Sequence, residues 1–120
     1  MKSNSLHRPP DWDTREWRNV SWSLLARTTS SGRNLAVLVQ RFEPGGAFAE
    51  HAHDLEQFFF VTQGELEMTI GGRSAVYRAG DFVAVERNEP HAGRNLSTGI
   101  AELLVLDYWP PDSQNRIGLE

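Results

Sequence analysis

Two of the four histidines in this chain, His51 and His53, are separated by a single residue. Residues two apart on an extended strand point to the same face, so these imidazoles are predicted to converge. Gln57 has the same parity, and a third histidine, His91, follows much later in the chain. Neighbouring imidazoles joined by a distant third are typical of a metal site on a β scaffold. A polar loop would explain the pair alone; the spacing described below favours the metal site.

The composition indicates one small domain that binds neither nucleic acid nor a membrane. The chain has 120 residues, no cysteine and a formal net charge of -4, with acidic and basic residues intermixed. The lack of cysteine excludes disulfides and thiolate metal sites. The lack of a basic stripe argues against binding to phosphate backbones. Because no signal peptide or membrane-length apolar run is visible, we expect a cytoplasmic protein whose partner is a small molecule.

Short β-strands must hold the histidines in place. Apolar, aromatic and β-branched runs alternate with turn signals, and Gly71-Gly72 suits a two-residue hairpin loop. With the extended histidine segment, about eight strands are predicted, the others at residues 20–29, 35–42, 57–62, 65–70, 74–78, 82–85 and 100–109. A loop at residues 86–90 is expected to deliver His91. Regular short strands without a long helix are typical of an all-β sandwich or barrel.

Three segments are expected along the chain. Residues 1–19 form an N-terminal arm, residues 20–111 the barrel domain, and residues 112–120 a polar tail. Trp12 and Trp17 are too apolar for free solvent, so they are expected to cover one end of the domain or to pack on a partner subunit. We therefore expect a homodimer.

Two sets of apolar residues are expected to have defined directions in this barrel. Alternation along the first strand puts one set on a single face, and the other set is expected to fill the interior. The first set is Trp22, Leu24 and Ala26, and the second is Phe48, Phe58 and Phe60.

The spacing of the histidines resembles the two motifs of the cupin superfamily. In the first motif, Gly45 precedes His51 and His53 by the family's five-residue gap, and Gln57 and Gly64 follow at the family's spacing. In the second motif, Gly80, His91 and Asn95 match the starting glycine, the histidine and the closing asparagine. Glu86 replaces the usual proline, and Asn88 replaces the usual glycine. The resemblance implies a double-stranded β-helix, or jelly-roll barrel. It also implies one divalent metal held by His51, His53, Gln57 and His91.

Gln57 stands where the cupin motif usually has glutamate. Either the site is a metal-free relic, or the glutamine carbonyl oxygen is the fourth ligand; Glu56 is an alternative ligand that strand parity disfavours. Four neutral ligands would leave the ion its full charge, which favours Lewis-acid chemistry over dioxygen chemistry. The ion is not specified by these ligands, and Zn, Ni, Mn, Fe and Co all fit.

The resemblance also implies a class of reaction. Small cupins with this ligand set include lyases, isomerases and cyclases that move protons beside a metal. The ending Asp107-Tyr108-Trp109-Pro110 is similar to the close of the uronate-processing cupins, where the acid is catalytic and an aromatic residue lines the pocket. Asp107 is therefore predicted to be a general acid/base, because an acid in an apolar strand is unfavourable unless it is paired or used; the alternative is a surface-facing aspartate at a strand end. Trp109, Arg41 and Tyr77 are predicted to bind substrate.

Two other functions are possible on the same scaffold. One is a metal-dependent dioxygenase, and the other is a non-catalytic cupin that binds a small ligand as a sensor. An attached DNA-binding domain would favour the sensor, and we see none in these 120 residues. Barrels of this kind host many chemistries, so the substrate is not predicted.

Overall fold

Nine strands, all paired antiparallel, make up the regular structure of the residues that the computed structural model describes, which are 5–9, 11–30 and 33–113. In chain order they are β1 Val20–Ser30, β2 Arg33–Phe42, β3 Ala47–His51, β4 Glu56–Gln63, β5 Glu65–Ile70, β6 Arg73–Arg78, β7 Phe82–Val85, β8 His91–Asn95 and β9 Ala101–Trp109. They form a five-stranded sheet in the order β1-β2-β9-β4-β7 and a four-stranded sheet in the order β3-β8-β5-β6. The predicted all-β jelly-roll barrel is confirmed.

The strand count exceeds the sequence prediction by one because of β8. His91 was expected to follow a loop, and it does, but it also begins a strand that pairs with both β3 and β5. Residues 114–120 of the predicted tail lie outside the described residues, as do residues 1–4 and 10 of the predicted arm and residues 31–32 between the first two strands. Among the residues described, no helix has the length and apolarity to cross a bilayer.

Side-chain alternation along β4 decides which aromatic residues fill the interior. Gln57, Phe59 and Val61 are buried, so Phe58 and Phe60 point to the outer face. Phe60 is 40% exposed, and its predicted place in the interior is wrong; Phe58 is half-buried on the same outer face. Burial of a phenylalanine such as Phe59 contributes about 2–3 kcal/mol.

The core lies between the two sheets. Phe48 belongs to it, as predicted, and is 4% exposed. The largest fully buried apolar side chains are Phe42, Leu66, Met68, Leu103 and Val39.

The first strand carries a bulge that changes its facing. Leu24 pairs with Leu38, whereas Ala26 pairs with Val37, so the register shifts between Leu24 and Ala26. Neighbouring residues of β2 point to opposite faces, so Ala26 does not share a face with Trp22 and Leu24. That part of the prediction is wrong, because a bulge adds a residue that alternation cannot foresee.

The N-terminal arm is attached to the barrel by backbone hydrogen bonds. Asp13 and Trp22 exchange two of them, with N···O distances of 2.7 and 2.9 Å. Trp17 packs against the core, and the ring of Trp12 lies 4.6 Å from the guanidinium carbon of Arg41. Both tryptophans therefore cover barrel residues.

Candidate metal centre

The three histidines of the motifs meet at one end of the interior. His51 is the last residue of β3, His53 lies in the loop that follows, and His91 opens β8 opposite His51 in the sheet register. One ligand nitrogen from each ring lies within 4.8 Å of the others. Such a cluster is the size that a single transition-metal ion requires, since metal–nitrogen bonds are about 2 Å long.

Backbone hydrogen bonds orient two of these rings. Nδ1 of His51 lies 2.7 Å from the carbonyl oxygen of Ala49, and Nδ1 of His91 lies 2.9 Å from that of Glu89. A carbonyl oxygen can only accept, so Nδ1 is the protonated nitrogen in both rings and donates the bond. The lone pair of each ring is then on Nε2, which is the arrangement found around protein-bound metals.

Burial keeps His53 and His91 in the form that binds a metal. It lowers the pKa of His53 to about 4, helped by the nearby His51 and His91. Burial also lowers the pKa of His91, although the carbonyl of Glu89 opposes this. Metal ligands must be neutral imidazoles, so desolvation removes the proton that would compete with the ion.

Phe48 supports the histidine cluster from within the core. Its ring centroid lies 5.5 Å from that of His51 and 5.9 Å from that of His91. The ring occupies space left free by Gly93, where an added Cβ would lie 2.6 Å from the Phe48 ring. Gly93 therefore leaves room for the Phe48 ring, and the position of that ring determines where the two histidine rings lie.

Gln57 lies in the same cavity and has one polar atom without a partner. Its side-chain nitrogen donates to Oδ1 of Asp107 at 2.8 Å, and the two residues face each other across β4 and β9. Its oxygen Oε1 is buried and finds no hydrogen-bond partner among the described residues. A buried carbonyl oxygen with no partner is costly, so it points to a group that this structure does not contain. A divalent ion fits this donor set, with His51, His53, His91 and Gln57 as its ligands.

Glu56 does not line the cavity that contains Gln57. It is the residue before Gln57 on β4. Strand alternation gives the reason, and no bulge intervenes at this point of the ladder.

Asp107 is a buried acid beside the predicted ligands. It is 8% exposed. Burial raises its pKa to about 6, although the hydrogen bond from Gln57 acts to lower the pKa. A carboxyl group with such a pKa can both accept and donate a proton near neutral pH.

The cavity that contains these groups has a volume of about 520 Å³. Of the side chains predicted to bind substrate, Trp109 lines it, but Arg41 and Tyr77 do not. Nε of Arg41 donates to Glu102 at 2.7 Å, and Tyr77 packs against the core. The structure thus brings Trp109 together with the predicted metal ligands and leaves Arg41 and Tyr77 outside the cavity.

The loops around the site are joined by an ion pair that the sequence did not reveal. Arg87 contacts Asp54 at 2.7 Å and Asp112 at 3.1 Å, and the backbone nitrogen of Asn88 donates to the carbonyl of His53 at 2.7 Å. These contacts connect the loop of His53 to the loop that precedes His91. Their partners lie far apart in the chain, so no local pattern indicates them.

Two further motif residues shape the loops. Asn88, where the motif usually has glycine, has a φ of 61°, and asparagine is among the few residues that tolerate this region. Asn95 donates through its side chain to the carbonyl oxygens of Phe42 and Gly99, at 3.0 and 2.8 Å. The role of both residues is therefore to stabilise the backbone of these loops and not to bind the metal.

The match to known proteins agrees with the fold and the motifs. The cupin domain family matches residues 38–107, which is more than half of the chain. The chain belongs to the cupin domain family. The HTH-type transcriptional regulator PuuR of Escherichia coli (strain K12) is 30% identical over 81 residues, which are 67% of this chain and 44% of the regulator. The chain thus spans less than half of that relative.

Solved structures show the same fold. The polyketide cyclase RemF from Streptomyces resistomycificus superposes with a TM-score of 0.77 at 18% identity, over 95% of this chain and 82% of the cyclase. KdgF from Halomonas sp. superposes with a TM-score of 0.73 at 18% identity, over 89% of this chain and 92% of KdgF.

Proposed function

We propose that this cupin is a divalent-metal-dependent enzyme that acts on a small oxygenated substrate, as a lyase, isomerase or cyclase. One observation carries this function: the side-chain nitrogen of Gln57 donates a hydrogen bond to the buried acid Asp107, and the oxygen of the same amide has no partner among the described residues. The same amide therefore connects a candidate metal ligand to a candidate proton carrier.

These contacts assign different roles to the bound ion and to Asp107. A divalent ion bound by the three histidines and Gln57 would supply a Lewis acid that polarises a carbonyl or enol oxygen. Asp107 would move the proton: Gln57 holds its Oδ1, and Oδ2 is the oxygen that can exchange a proton with substrate. Burial of the carboxyl group keeps its pKa high enough for it to act in both directions. The neutral ligand set is our reason for placing this chemistry above that of a dioxygenase.

The match to PuuR favours a second candidate, a cupin that binds a small ligand without transforming it. The regulator shares 30% identity with 67% of this chain. The same cavity would then serve recognition alone, and Asp107 would be a hydrogen-bonding group for the ligand.

Metal analysis tests the site. We expect one divalent ion per chain in the purified or reconstituted protein, measured by elemental analysis and calorimetric titration. The double variant His51→Ala/His53→Ala should bind the ion at least about 100-fold more weakly, because it loses two ligands. His7→Ala is the matched control, since His7 is an exposed residue of the arm. A double variant that binds as well as the parent would refute the ligand assignment.

The variant Asp107→Asn separates the two candidates. Assayed against a panel of neutral carbonyl and enol compounds, it should keep the metal and lose turnover by about 100-fold or more. Full turnover with the metal bound would remove Asp107 from the mechanism. Binding of panel compounds by the loaded parent with no turnover of any would favour the ligand-binding candidate.

A further inference from the structure

The cavity wall beyond the histidines, Gln57 and Asp107 is almost entirely apolar. Strand β1 contributes Trp22 and Leu24, β2 contributes Leu38, β9 contributes Trp109, and the arm contributes Trp17. Three of the four tryptophans of the chain thus face one cavity. Tryptophan presents a large flat surface with little rotational freedom, which suits stacking against a planar ligand.

The charge of the wall is one-sided. None of its described side chains is an arginine or lysine, whereas Glu16 and Asp107 are both acids. Arg41 follows the cavity residue Gln40, but it lies on the other face of β2, where it is paired with Glu102. A carboxylate placed along this wall, away from the histidine end where an ion would bind, would therefore find no arginine or lysine of the lining to pair with it, which is unfavourable.

We propose that the substrate of this site has an uncharged, flat, aromatic or otherwise apolar body and a carbonyl, enol or phenol oxygen at the histidine end. The oxygen end rests on the function proposed above; the uncharged, flat body rests on the wall alone. A ligand that carries a carboxylate on its body, away from the histidine end, does not fit, because that charge would meet only Glu16, Gln40 and apolar side chains.

A set of three 1,3-diketones tests the substrate class by calorimetric titration. They are 1-phenyl-1,3-butanedione, which is neutral and aromatic, acetylacetone, which lacks the phenyl ring, and 4-acetoacetylbenzoate, which carries a carboxylate on the ring, opposite the diketone. The protein is loaded with Zn²⁺, which has no redox chemistry of its own. We expect phenylbutanedione to bind at least about tenfold more tightly than acetylacetone, because the ring buries apolar area. We expect a similar advantage over 4-acetoacetylbenzoate, because its ring carboxylate is buried along the wall without a partner.

One variant should change the preference in a defined direction. Gln40→Arg introduces a cation at a polar position of the wall and should tighten binding of 4-acetoacetylbenzoate about tenfold. The double substitution Arg41→Gln/Glu102→Gln is the control: it removes the adjacent ion pair outside the cavity, without leaving either charge alone, and should leave the ranking unchanged.

The failures of the two proposals are distinguishable. 4-Acetoacetylbenzoate binding as tightly as phenylbutanedione, or acetylacetone matching the phenyl compound, would overturn the substrate class. The titrations are repeated on metal-free protein, where the same ranking with weaker affinities is expected. If zinc neither binds nor strengthens binding while the ranking persists, the metal function fails and the apolar substrate class stands.

Discussion

The raised pKa of Asp107 predicts a measurable dependence of stability on pH in the metal-free protein. Burial shifts this pKa from 3.8 to about 6, so the folded state holds a proton that the unfolded state has already released between these values. Stability contributed by this group is therefore present below pH 3.8 and is lost as the pH rises through about 6. At 1.36 kcal/mol per pKa unit, the full change is about 3 kcal/mol.

The perturbation is Asp107→Asn, which keeps the size of the side chain and an oxygen that can accept from Gln57. The free energy of unfolding is measured by urea titration in a chelator, at half-unit steps between pH 4 and 7. The parent should lose up to about 3 kcal/mol relative to the variant across this range. Curves that run parallel for the two proteins would refute a buried, proton-binding Asp107.

The comparison with the variant is needed because the histidines act in the opposite direction. The pKa of His53 is lowered to about 4, so the folded state resists protonation and loses stability as the pH falls below 6.5. The loss is present in both proteins and cancels in the difference between them.

Three further substitutions test the packing and the ligand set. Gln57→Glu should bind metal about tenfold more tightly and lower turnover, because it adds a charge to the ligand set, and calorimetry with rate assays measures both; weaker metal binding would contradict position 57 as a ligand. Gly93→Ala should lose about 1–3 kcal/mol in urea unfolding and bind metal more weakly, because the new Cβ would lie 2.6 Å from the Phe48 ring; unchanged values would refute that contact. Asn88→Ala should be about 1 kcal/mol less stable than Asn88→Gly in the same assay, because φ is 61° there, and equal stabilities would count against this strain.

The ligand cluster was predictable because its parts follow from local spacing. His51, His53 and Gln57 lie within seven residues, and the family motif supplies His91. The alternation of β4 that turns Gln57 inward also turns Phe59 inward, so the sequence already contained the reason why Phe60 lies outside. The alternation pattern alone is therefore sufficient to predict that Phe60 lies on the outer face.

The position of the Arg41 side chain outside the cavity could not be predicted from such a pattern. Its partner Glu102 is 61 residues away, on a strand that pairs with β2 only in the folded sheet. Both residues lie on strands that are apolar nearly throughout, so the sequence is consistent with either face until the register is known. The bulge between Leu24 and Ala26 is a similar case, because it reverses the facing of a strand without a glycine or proline to indicate it.

The glutamine at position 57 becomes intelligible once its neighbour is known. Its nitrogen lies 2.8 Å from Oδ1 of Asp107, and a glutamate in its place would put two carboxyl groups at that distance. Two such groups cannot both be ionised in a buried site, so one would hold a proton and the other would lose it. An amide avoids the conflict, because it offers an oxygen on one side and donates a hydrogen bond on the other. The glutamine that replaces the usual glutamate thus lets one ionisable acid, Asp107, lie beside the ligands. The exchange Gln57→Glu should raise the pKa of Asp107 further and strengthen metal binding.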